Sequence, residues 1–356
     1  MTAEATCCKH FGLCGGCATQ DVPYAEELRR KEAALRDLLG RDVAVAASPR
    51  EFFYRTRMDY VYAWGKLGQR KLGDPNGVLD IDECLLVSPR AFEAVLRVKQ
   101  AIHRHDIRAY SYVSKKGYLR YVTVREAPRH GQLMLIFLTN GSDPAVRALL
   151  DEAEAWAESV VWSVTERRAD LSMGDVLEWR GRDWIEERIG DVRYRFGPNS
   201  FFQNNPWQTE ALYRHVAARA RGDVADLYCG VGGFALFVDG AAAGVDSNAE
   251  GIAFARKNAE LNGKDVRFEA GDAGAFLERH RCDTLIVDPP RVGLGLRTVR
   301  QAVRAAPARI LYVSCNARAL AGELPQFEGY RVTDLQGFDL FPKTPHVEVV
   351  ATLDRD

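Results

Sequence analysis

The chain has 356 residues, 47% apolar and 27% charged, the composition of a soluble globular protein large enough for two or three domains. No apolar run is long enough to span a bilayer and the N-terminus lacks a charged-then-apolar leader pattern, which argues against a membrane partner and makes the cytoplasm the expected location. The net charge of −1 gives no overall basic field for a nucleic acid, and eight cysteines without a secretion signal point to metal or catalysis rather than to disulfides.

The N-terminal segment reads CCKHFGLCGGC, so Cys8, Cys14 and Cys17 are closely spaced around two glycines that let the backbone aim thiolates at one centre. A fourth ligand is needed, and Cys84 is the nearby candidate besides Cys7. Zinc and a 4Fe–4S cluster both accept four thiolates, and the spacing does not separate them. The Cys-x3-Cys-x2-Cys pattern of radical enzymes is absent. Residues 21–39 predict an amphipathic helix with Asp21 as cap, Pro23 in the first turn and Gly40 at its end.

Short β-rich runs over 52–140, a helix over Arg90–His105, another over 143–157 and further strands to Phe196 predict a mixed, mainly antiparallel domain. Between Lys99 and Arg129 eight cations face two acids, leaving +6, with Tyr110, Tyr112, Tyr118 and Tyr121 interleaved. Cations beside stackable rings suit single-stranded RNA. A solvated face over core tyrosines is the plain alternative. Arg55 and Arg57 add charge for phosphate or for solvent.

At Gly197–Tyr213 a loop rich in Gly, Pro and Asn carries Phe201, Phe202 and Gln203, which could flank a flat heterocycle, and a helix begins near Pro206. From Val224 strands and helices alternate. VADLYCGVGGFALF predicts a strand, a glycine turn and a helix start, with Gly230, Gly232 and Gly233 letting backbone N–H groups approach a ligand. Later strands end in Asp246, placed to accept hydrogen bonds from ribose hydroxyls, in Asp272 and in Asp288, the last within DPPR. The run ILYVSCN delivers Cys315 to a strand end, and FPKTPHVE ends in Glu348. A thiol and a carboxylate at the carboxyl edge of a nucleotide-cofactor sheet read as a nucleophile with its base. The expected architecture is α/β: a Rossmann-like C-terminal domain (197–356), a β-rich central domain (41–196, containing Cys84) and a cysteine motif with its helix (1–40).

In this order CKHFGLCGGC, SFFQNN, DLYCGVGGF, DPPRVG, YVSCNA and FDLFPKTPHVE resemble the motifs of the RNA uracil-C5 methyltransferases that use S-adenosylmethionine, over nearly the whole chain. Members with a TRAM domain carry it before the cysteine motif, where this chain starts, so it looks most like the branch acting on 23S ribosomal RNA, with the T-loop uridine of tRNA as the alternative. The resemblance implies a 4Fe–4S cluster on Cys8, Cys14, Cys17 and Cys84. It implies cofactor contacts at Gln203, Tyr228, Asp246, Asp272 and Asp288 beside the three glycines, with Cys315 as nucleophile and Glu348 as base. The chain departs from the pattern at Gly233 (Asn in some members), Asp246 (commonly Glu) and Lys343 (commonly His).

Uracil C5 is too weak a nucleophile to take a methyl group unaided, and thiolate addition at C6 makes it electron-rich. Polar or positive surroundings are therefore expected to lower the Cys315 pKa. The target base must leave its stack. The cluster is expected to be structural, RNA is the expected partner, and no obligate protein partner is inferred. Amino-group methylation is the rival chemistry, since Asp-Pro-Pro resembles its motif, but Arg291 stands where an aromatic would stack. A non-catalytic RNA-binding or ribosome assembly factor is the rival class.

Overall fold

The computed structural model describes residues 7–167, 169–240 and 242–356, which form two compact units. One comprises the chain up to Val22, Glu51–Arg188 and Gly197–Asn199; the other comprises Pro23–Arg50, Ile189–Phe196 and Ser200–Asp356. Among the described residues no helix is long and apolar enough to cross a membrane.

The first unit is built on a seven-stranded sheet in the order Asp74–Asp80, Lys66–Lys71, Arg57–Ala63, Leu119–Ala127, Gln132–Thr139, Ser159–Val164, Asp175–Gly181. Neighbours are antiparallel except Gln132–Thr139 with Ser159–Val164, whose parallel pairing requires the crossover that contains the helix Pro144–Ala153. The helix Pro89–Arg104 is capped by the Ser88 hydroxyl, which accepts the Ala91 N–H, with Pro89 in its first turn.

Leu119–Ala127 is buried along its whole length, so its polar residues must find partners inside. This settles much of the basic stretch. The Arg120 guanidinium donates to the Arg167 carbonyl and to Asn140 Oδ1, with the Tyr110 ring 4.4 Å from its carbon. Arg125 donates to the Gly197 carbonyl, Arg104 pairs with Glu152, and Lys99 Nζ lies 2.7 Å from Asp80. Tyr110 and Tyr121 are buried. Arg104, Arg108, Lys115 and Lys116 are exposed, and Arg104 is neutralised by Glu152, a smaller patch than the +6 tally suggests.

The second unit holds an eight-stranded sheet in the order Val45–Ala46, Tyr330–Phe338, Glu348–Arg355, Arg309–Ser314, Thr284–Val287, Val224–Leu227, Ala242–Asp246, Val266–Ala270. All pairings are parallel except those of Glu348–Arg355, which runs against both neighbours. Its central strands Val224–Leu227 and Thr284–Val287 are buried along their whole length and mostly apolar, as in a parallel sheet covered on both faces. The chain reverses its direction of winding between Val224–Leu227 and Thr284–Val287, and ligands of open α/β sheets bind at such a switch.

Three expectations change here. The helix Tyr24–Leu39 belongs to this unit, whereas the cysteine motif that precedes it lies in the first. Its buried stripe of Glu27, Lys31 and Leu35 has partners near residue 340, which no local reading reveals. Pro23 rather than Asp21 occupies its N-cap, without a side-chain bond. After the first strand there is no helix start: Cys229–Gly240 is a series of turns. Gly230 and Gly232 take φ of 53° and 92°, which right-handed helix does not permit, and buried Asp226 accepts the Ala235 N–H and holds the turns inward.

Candidate active site and cysteine cavity

Each parallel strand of the second unit ends at one edge of the sheet, which places Tyr228, Asp246, Asp272, Asp288 and Cys315 there. Glu348 joins them because its strand is reversed, so that its beginning rather than its end lies at that edge. Ser314 pairs with Val349, which makes Cys315 and Glu348 the next positions on the two neighbouring strands. The local sequence fixes the thiol. Ser314 Oγ accepts the Asn316 N–H, Asn316 caps the helix Ala317–Glu323 by accepting the Arg318 N–H, and Asn316 Nδ2 donates to the Arg291 carbonyl at 2.8 Å. The small polar residues of SCN thus join the Cys315 turn to the DPPR loop.

Glu348 is buried, and burial first, then the Asp288 charge, hold its carboxyl well above the usual range; Arg291 opposes them. Burial pushes Asp288 up to about 7. Gln203, itself buried, points Nε2 at Asp288 Oδ2, 3.5 Å away. Cys315 is raised to about 11, chiefly by burial and then by Glu348 and Asp288, with Arg291 lowering it. The polar or positive surroundings expected to lower its pKa do not prevail: one guanidinium faces two acids, and the resting thiol keeps its proton at neutral pH. Arg291, whose Nη2 lies 3.1 Å from His346 Nδ1, is the site residue that sequence reasoning used only to disfavour a rival. Its position in DPPR, three residues past an edge aspartate, was the available signal. Beside Cys315 opens a groove of about 330 Å³ lined by Lys31, Leu35, Arg291, Arg318 and His346.

The cofactor positions divide. Tyr228 has φ 64°, a conformation side-chain residues adopt at a cost and which clusters at functional sites. A Cβ on Gly230 would meet only the Phe201 carbonyl, at 3.9 Å, so the space a ligand needs is there. At Gly232 a Cβ would lie 2.8 Å from Leu236, and at Gly233 2.5 Å from the Tyr213 hydroxyl oxygen, so these two glycines serve protein packing. Asp246 accepts the Gly230 and Asn248 N–H groups on its two oxygens and still has lone pairs for a ligand. Asp272 is exposed and caps the helix Ala273–Arg279 through the Ala275 N–H. Phe202 is buried against Phe196 with centroids 4.5 Å apart, whereas Phe201 is 61% exposed.

In the first unit Cys8, Cys14, Cys17 and Cys84 line one cavity. Every sulfur accepts an N–H: from His10, Gly16 and Gln20 Nε2 for the first three, and from the Leu86 and Val87 amides for Cys84. The His10 ring is tied to Asp82 at 2.7 Å. Burial raises all four thiols, Cys8 to about 11 and Cys17 to about 12. Among the described residues no group of three or more His, Cys, Asp or Glu is set to hold a single metal ion. The donor set suits a group held by four thiolates, whose sulfurs such N–H bonds stabilise.

The fold and the edge residues define an α/β methyltransferase of the kind that places its ligands at the switch of a mostly parallel sheet. The solved tRNA (uracil-54, C5)-methyltransferase of Pyrococcus abyssi, in complex with S-adenosyl-L-homocysteine, superposes with a TM-score of 0.84 at 35% identity, over 96% of this chain and 86% of that one. The tRNA (uracil-5-)-methyltransferase family model matches residues 238–356. A tRNA (uracil(54)-C(5))-methyltransferase of the same organism is 37% identical over 352 residues, covering 97% of this chain and 85% of its own. Its 23S rRNA (uracil(747)-C(5))-methyltransferase is 34% identical over 355 residues, at 98% and 85% coverage. The chain belongs to the RNA uracil-C5 methyltransferase family. The relatives of higher identity are named for tRNA, which favours the tRNA alternative over the ribosomal RNA branch.

Proposed function

We propose that the protein methylates C5 of the T-loop uridine at position 54 of tRNA, with Cys315 as nucleophile and Glu348 as base. The observation that carries the chemistry is the register that sets Cys315 beside Glu348 at the sheet edge. The higher identity to the tRNA enzymes favours that substrate. S-adenosylmethionine, held by Gln203, Tyr228, Gly230, Asp246, Asp272 and Asp288, supplies an electrophilic methyl group when bound.

Cys315 adds to uracil C6 and makes C5 electron-rich. The thiol proton has carboxylates beside it to leave to, because Asp288 titrates near 7. After methylation the C5 proton passes to Glu348; the C–H electron pair forms the C5–C6 double bond and the C6–Sγ bond breaks, returning the thiolate. The groove beside Cys315, with two arginines and apolar walls, suits an unstacked nucleotide. Cys8, Cys14, Cys17 and Cys84 hold a 4Fe–4S cluster, a reading supported by four sulfurs around one cavity, each accepting an N–H.

The purified protein is to be given the methyl donor with a tRNA transcript, with the same transcript carrying C54, and with a 23S rRNA fragment. Methylation of the first alone is expected. Methylation of the rRNA fragment alone would restore the ribosomal reading, which rests on the 34% relative.

A further inference from the structure

We infer that the buried ion cluster of Glu27, Lys31 and Asp339 is a positioning device for Glu348, by which the helix Tyr24–Leu39 sets the loop that delivers the base. The inference rests on the reading of Glu348 as the proton acceptor. The segment from Asp339 to Val347 joins the strand Tyr330–Phe338 to the strand that begins with Glu348, and it has no regular structure of its own. Its shape must come from anchors.

Those anchors lie on one face of the helix. Lys31 Nζ donates to Glu27 Oε1 at 2.8 Å, to Asp339 Oδ1 at 2.9 Å and to the Phe341 carbonyl at 3.3 Å. Glu27 Oε1 also accepts the Lys343 N–H at 2.7 Å, and its Oε2 lies 3.5 Å from Lys343 Nζ. Lys343 is left-handed, φ 65°, a conformation held by its surroundings. Asp339 Oδ2 accepts the Tyr24 hydroxyl. From the Phe341 carbonyl the path continues: it accepts the Thr344 hydroxyl at 2.7 Å, and Thr344 Oγ1 accepts the His346 N–H at 3.3 Å. An unbroken chain of hydrogen bonds therefore runs from Lys31 to an amide two residues before Glu348.

Stability alone is a poor reason for this arrangement, because buried ion clusters seldom outperform apolar packing, and the same helix face continues with apolar Leu35. Directional bonds fix a loop in one geometry where apolar contacts tolerate several.

The test separates the two half-reactions in a single turnover of the full-length protein on unmodified RNA, quenched in denaturant and resolved into covalent protein–RNA and released product. Asp339→Asn, which breaks the cluster away from the groove, and the gentler Thr344→Val are compared with the parent and with Glu348→Gln. Methyl transfer is expected to stay within about twofold of the parent while release slows by about tenfold or more, so that covalent protein–RNA accumulates. If Asp339→Asn does not fold, Thr344→Val decides. Equal loss of both steps, or no accumulation in a folded variant, overturns the inference. A failure of Glu348→Gln itself to accumulate adduct overturns the assignment of the base and this inference with it, whereas accumulation there and not in the loop variants overturns the inference alone.

Discussion

The two cysteine sites of the molecule are opposites. Around the N-terminal cavity each of four sulfurs accepts an N–H, and no fewer than four thiols share the space. At the sheet edge a single thiol stands beside two carboxylates with one guanidinium for relief. N–H donors stabilise sulfur that stays charged, as a permanent ligand must. Burial raises the thiols of both sites, and at Cys315 the Glu348 and Asp288 charges add to it; these carboxylates can also take up protons when a transient bond is made and broken. On the proposed roles, it is the neighbours and not the residue type that divide ligand from nucleophile.

The sharpest way to break that division is Cys315→Ala, which should lower methylation by ~10⁴-fold or more, since loss of a covalent nucleophile leaves only binding and proximity. Ordinary turnover by this variant would return Cys315 to the class of buried structural thiols. Glu348→Gln should slow turnover by roughly 10²–10⁴-fold while methylated covalent protein–RNA builds up on denaturing gels.

The raised carboxyls also set the pH dependence. A base that must be ionised loses activity as pH falls, and here the loss should begin well above the usual carboxylate range, near the Asp288 value of about 7. A pH–rate profile flat down to the ordinary carboxylate range would contradict the pairing. For stability the sign is opposite to that of a salt-bridged acid. A carboxyl whose folded pKa is raised stabilises fully below its unfolded value and loses that contribution as pH rises through the folded one. Glu348→Gln should therefore be more stable than the parent at pH 8, with the difference vanishing toward pH 4, as thermal unfolding would show.

On the ligand side, Cys17→Ser should abolish the proposed metal centre and destabilise the first unit without changing the Cys315 environment. Metal analysis of anaerobically purified parent should find about four iron atoms per chain, and zinc in their place would correct the cluster. The smallest effects test the basic stretch. Arg120→Met should cost about 3–5 kcal/mol of stability, because it leaves buried partners unsatisfied, whereas Lys116→Ala should stay within about 0.5 kcal/mol and only weaken RNA binding.

Much of the catalytic sheet was legible because its strands are apolar runs that end in chemistry-bearing residues: TLIV before Asp288, ILYVS before Cys315. The glycine turn was half legible. Glycine content signals an unusual backbone but not what fills the space, and only the packing of Leu236 and the Tyr213 hydroxyl shows that Gly232 and Gly233 serve the protein while Gly230 faces open space. The placement of Tyr24–Leu39 was not legible, because Glu27 and Lys31 look like an ordinary solvated pair four residues apart until Asp339 is seen beside them. The pKa of Cys315 was misjudged for the same reason: its acids arrive from strands about thirty residues either side. Substrate choice within the family rests on relatedness and not on any one motif.

The most direct test of the central claim uses tRNA containing 5-fluorouridine, whose C5 carries no removable proton. With the methyl donor present, the wild-type protein should become covalently attached to this RNA through Cys315, as peptide mass spectrometry would locate, and Cys315→Ala should not. An absence of adduct in protein shown to bind both the RNA and the donor would contradict the account.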